Sequence, residues 1–67
     1  MTNAWSLDQE LAELQNAWGV PFYAQKDGNS LFRVYTSNLW FYASSREFYD
    51  PRDAITEMWV IMRKWRF

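Results

Sequence analysis

The sequence contains no cysteine and no histidine. The first absence excludes disulfides and thiolate metal sites; the second removes the commonest general base and the commonest zinc ligand. Carboxylates are then the remaining metal ligands, suited to a hard cation such as calcium or magnesium. Gly19 and Gly28 are the only glycines, and Pro21 and Pro51 the only prolines. The chain therefore has no glycine-rich phosphate loop and no low-complexity segment, and residues 1–67 read as one compact domain without a linker. No apolar run approaches the roughly 18 residues that span a membrane, and the first residues lack the basic-then-apolar pattern of a secretion signal. A cytoplasmic protein without membrane association is the expectation.

What the chain has in abundance is aromatic mass: five Trp, five Phe and four Tyr, 21% of 67 residues. A single core of this size supplies only about 3 to 5 kcal/mol net, and each buried aromatic side chain adds roughly 150 to 250 Å² to it. Fourteen such residues exceed what one small core needs. The net charge of −1 gives the whole chain no attraction to nucleic acid or acidic lipid. Its distribution is uneven, with Asp8, Glu10, Glu13 and Asp27 against Lys26 in residues 1–32, and six bases against four acids in residues 33–67.

Local signals place the elements. In "SLDQELAELQNAWG", Ser6 is a helix cap, Gln9 completes a capping box, and Asp8 and Glu10 complement the dipole of the first turn. Leu7, Leu11, Leu14 and Trp18 form a narrow stripe within about 60° of the wheel. Gly19 and Pro21 end the helix. Asp50-Pro51 opens a second helix, and Arg63, Lys64 and Arg66 crowd its last turn. Ala54, Ile55, Met58, Trp59, Ile61, Met62 and Trp65 cover about 160° of it, leaving Val60 on the polar side. Phe48 and Tyr49 precede the cap, where an apolar residue folds back to staple the first turn.

Between the helices, "VPFYAQ", "SLFRVYT" and "LWFYAS" suit strands, separated by the hairpin signals Asp27-Gly28 and Ser37-Asn38. Two-residue turns would set residue 23 opposite 32 and residue 35 opposite 40. One face would then gather Tyr23, Phe32, Val34, Thr36, Leu39, Phe41 and Ala43 as the core. The other would gather Phe22, Ala24, Leu31, Arg33, Tyr35, Trp40 and Tyr42. The expected fold is α+β, in the order α-β-β-β-α, a three-stranded antiparallel sheet with both helices packed on one face and the other face open.

No catalytic, metal or cofactor set emerges. Lys26 and Lys64 lie at a turn and a helix end, without an apolar surround to lower their pKa, and capping accounts for Asp50 and Asp53. The element order is similar to that of double-stranded RNA binding domains, in which a lysine-rich start of the last helix grips phosphates. Here that stretch is "DPRDAITE", net acidic, which argues against duplex binding. Phe22, Leu31, Arg33, Tyr35, Trp40 and Tyr42 form the candidate partner-binding set, because Trp, Tyr and Arg concentrate binding energy at interfaces. A protein partner, a host macromolecule, is the leading expectation; in size and design the chain looks like small bacteriophage and mobile-element proteins that block a host enzyme by occlusion. The alternatives are self-association through the same face into a homodimer, single-stranded nucleic acid stacked on Tyr35, Trp40 and Tyr42, and a larger core in which Trp5 or "ASSREFYD" covers that face.

Overall fold

The computed structural model describes residues 5–38 and 40–64. Helix α1 spans Leu7–Trp18, strands β1, β2 and β3 span Tyr23–Lys26, Phe32–Ser37 and Tyr42–Ser44, and helix α2 spans Pro51–Lys64. The strands form one antiparallel sheet in the order β1-β2-β3. Leu39 and Trp65, both expected in the core, and the C-terminal Arg66 lie outside the described residues.

The helix ends form as their sequences dictate. The Gln9 N–H donates to Ser6 Oγ at 3.3 Å, and Gly19 closes α1 at φ 71°, its N–H donating to the Gln15 carbonyl. At α2 the Arg52 N–H donates to Asp50 Oδ1 at 2.9 Å. The Arg52 guanidinium also pairs with this carboxylate at 3.1 Å. These bonds satisfy backbone donors that a helix leaves orphaned in its first turn.

The two helices and one side of the sheet share a single core of Leu14, Phe22, Val34, Ala43, Ala54, Ile55, Met58 and Met62. The stripe widths read from the wheel reappear in the packing. Helix α1 buries Leu14 alone, whereas α2 buries Ala54, Ile55, Met58 and Met62. Helix α2 lies against β2 and β3, and α1 packs beside it. The Trp18 and Trp59 rings meet there with centroids 4.9 Å apart and planes tilted by 58°. Val60 is exposed on the polar side.

The first hairpin loop is longer than two residues, and the second turn lies two residues further along the chain than expected, the Asn38 N–H donating to the Phe41 carbonyl at 3.0 Å. Tyr23 stands opposite Tyr35 rather than residue 32, and Tyr35 opposite Ser44 rather than residue 40. In the first loop the expected Asp27-Gly28 turn does not form; Gly28 has no positive φ, and a longer loop is organised by the side chain of Asp27. Its Oδ1 accepts from the N–H groups of Asn29 (2.8 Å) and Leu31 (3.0 Å). Its carbonyl accepts from Ser30 at 3.1 Å. Ser30 then adopts the left-handed conformation, φ 64°, in the manner of a three-residue hairpin loop. Backbone hydrogen bonds from Leu31 and Asn29 hold the Asp27 carboxyl below its ordinary pKa. The second loop is organised by Asn38, whose Oδ1 accepts from the N–H groups of Trp40 (2.7 Å) and Phe41 (3.1 Å).

A bulge follows β3. The Ser45 N–H donates to the Val34 carbonyl at 2.8 Å, continuing the β2–β3 register, yet the next pairing joins Phe32 to Phe48. Arg46 and Glu47 therefore stand together opposite Arg33. The buried Ser45 hydroxyl accepts the Val34 N–H at 3.0 Å, supplying the acceptor that the distorted ladder withholds. Arg46 fastens the bulge to α2. Its backbone N–H donates to Glu57 Oε1 at 2.6 Å and its Nε to Oε2 at 2.8 Å. Phe48 packs against the core, but Tyr49 is 75% exposed and forms no staple.

Candidate functional site: the open sheet face

Loop length decides which side chains the sheet presents. The observed register puts Tyr23 and Gln25 of β1 on the same face as Arg33 and Tyr35 of β2 and Tyr42 and Ser44 of β3. Ala24, Val34, Thr36 and Ala43 point the other way, into the helices. The expected faces of β2 and β3 stand, but those of β1 are exchanged. Phe22, assigned to the open face, is 2% exposed and belongs to the core; Tyr23, assigned to the core, is 45% exposed. The Thr36 hydroxyl donates to the Pro21 carbonyl at 2.6 Å, tying the approach to β1 against the buried side.

Three tyrosines cross the open face as a continuous stripe. The Tyr23 and Tyr35 ring centroids are 5.4 Å apart with planes at 37°, and those of Tyr35 and Tyr42 are 6.2 Å apart at 31°. Tyr42 is 54% exposed. The rings touch one another, so together they make one apolar surface edged by hydroxyls. Arg33 lies beside it, its Cζ 5.5 Å from the Tyr35 centroid and its Nη2 donating to Gln25 Oε1 at 2.8 Å. The guanidinium is thus positioned by one neutral acceptor and one aromatic ring. Such a group is held in place without being neutralised.

Of the sequence-predicted residues, Arg33, Tyr35 and Tyr42 come together on this face. Leu31 is half-buried in the β1–β2 loop, outside the stripe. Trp40 sits in the β2–β3 turn rather than in a strand, 88% exposed. Phe41, beside it, packs against the core. Tyr23 completes the stripe and escaped the sequence reading. Its one local signal is the neighbouring pair Phe22-Tyr23, in which the side chain without a hydroxyl is the cheaper one to bury.

Arg46 turns to Glu57 on α2 and Phe48 packs into the core, so neither covers the tyrosine stripe. Among the described residues, no group of three or more acidic side chains converges on a point where a metal ion could sit. No helix among them is long and apolar enough to cross a membrane. No protein-family model, curated protein or solved structure matches the chain.

Proposed function

We propose that the protein is a non-enzymatic interaction module that docks its open sheet face on a larger protein and acts by covering the surface it occupies. The observation that supports this reading is the Tyr23–Tyr35–Tyr42 stripe, whose two outer rings are exposed and whose middle ring is half-buried between them, and which takes no part in the buried core. Tyrosine gives large contact area with little rotamer freedom to lose, and contiguous aromatic surface beside an arginine is the composition of binding hot spots. The exposed Trp40 in the adjoining turn extends the area that a partner can bury. A host macromolecule blocked by occlusion is the biological setting that suits this design.

The test is affinity capture from host lysate with the native chain and with a Tyr35→Ser/Tyr42→Ser variant in parallel. A protein retained by the native chain and lost by the variant, at unchanged melting temperature, supports docking through this face. A protein captured equally by both places the interface elsewhere.

A further inference from the structure

The cations of the described residues are not treated alike. Arg46 closes on Glu57 at 2.7 Å and Arg52 on Asp50 at 3.1 Å. Among the described residues, Arg33 is the cation on the open face and has no carboxylate within 4 Å; its neighbours are Gln25 and the Tyr35 ring. Glu47, which the bulge places nearby, directs its carboxyl toward Asp27 at the end of the sheet. Lys26 sits over the Phe32 ring, on the strand positions that face the helices.

Any occupant of the stripe takes water from Arg33. A guanidinium has five N–H donors, and burying one without a counter-charge costs several kcal/mol. The occupant must therefore bring an anion. A second copy of the same face brings a second Arg33 instead. A nucleic acid brings a ladder of phosphates, which needs several cations along its path, where the described residues give this face one. What fits is a protein surface with one carboxylate among apolar side chains, since the planar fork of Arg matches a carboxylate in two parallel hydrogen bonds. Building on the docking reading above, we infer that the partner presents an Asp or Glu to Arg33 and lays apolar side chains across the tyrosine rings.

The probes are two short peptide pools with apolar and hydroxyl residues at the flanking positions and a central Glu in one pool or Gln in the other, with an oligothymidylate as a third ligand. Binding to the isotopically labelled protein is followed by the Arg33 Nε–H resonance and the tyrosine ring signals. The expected result is saturable binding of Glu peptides about tenfold tighter than their Gln counterparts, with movement of the Arg33 resonance and loss of the difference in Arg33→Gln. Equal binding of Glu and Gln peptides overturns the carboxylate inference and leaves docking intact. Binding of the oligothymidylate in place of both pools, or of no peptide, overturns the docking reading with it.

Discussion

The exchange of Phe22 and Tyr23 decides which side of β1 belongs to the site, and it can be tested by truncating each to leucine. Phe22→Leu removes three carbons from a side chain that is 2% exposed. At roughly 0.8 kcal/mol per buried carbon this costs about 2 kcal/mol, and the incompletely filled ring space adds to it. A domain of this length is stable by about 3 to 10 kcal/mol, so the variant remains folded, whereas Phe22→Ala, at about 3 to 5 kcal/mol, would sit near the unfolding midpoint. Tyr23→Leu acts on a side chain already 45% in solvent and forfeits chiefly its ring contact with Tyr35. That contact accounts for about 1 kcal/mol or less. Urea titration followed by tryptophan fluorescence would show the Phe22→Leu midpoint lowered by on the order of 1 M and the Tyr23→Leu midpoint by less than half of that. The reverse order, with Tyr23→Leu the costlier change, would refute the register and remove Tyr23 from the stripe.

Three further outcomes follow from the loop, the bulge and its clamp. Gly28→Ala meets open space and a backbone without positive φ, so it should raise stability by about 0.4 to 1 kcal/mol. Ser30→Gly relieves a left-handed residue and should gain up to about 1 kcal/mol; a two-residue Asp-Gly turn would make Gly28→Ala destabilising in the same thermal melts. Ser45→Ala strips the buried Val34 N–H of its acceptor and should cost about 1 to 3 kcal/mol by urea titration, against a near-neutral Ser44→Ala. Hydrogen bonds from Arg46 hold the Glu57 carboxyl below its ordinary value of 4.5. With the folded pKa the lower one, the stabilisation is complete above 4.5 and is lost as pH falls through the folded value. Melting temperatures measured from pH 6 down to about 3 should therefore decline less steeply in Glu57→Gln than in the native chain.

The parts of the fold that could be read in the sequence are those written in neighbouring residues. Ser6, Gly19 and Asp50-Pro51 mark helix ends because a cap acts within a turn of itself. The two apolar arcs distinguish the helix that packs by one stripe from the one at the centre of the core. Register is different in kind, because it depends on how many residues a loop consumes, and Asp27 and Asn38 settle that with side-chain hydrogen bonds that no periodicity records. The two miscounts had unequal effects. Between β2 and β3 the displacement is even, residue 35 meeting 44 in place of 40, and a strand with a two-residue repeat keeps its faces. Between β1 and β2 it is odd, 23 meeting 35 in place of 32, and Phe22 and Tyr23 trade places.

The same arithmetic gives the bulge at Arg46-Glu47 a meaning beyond its hydrogen bonds. If the same residues ran on without the bulge, the third strand would stay in phase with Tyr42 and Ser44, sending Phe48 to the open face and Glu47 into the core. The insertion works as a frame correction, resetting odd and even just before the chain enters α2. Substitutions at Arg46 and Glu47 leave that frame untouched, and deletion of one of them straightens the strand with Phe48 still facing the core, whereas insertion of one more residue without a wider bulge turns Phe48 outward. What the sheet constrains at that point is the side on which Phe48 arrives, which two bulged residues or one regular residue satisfy equally.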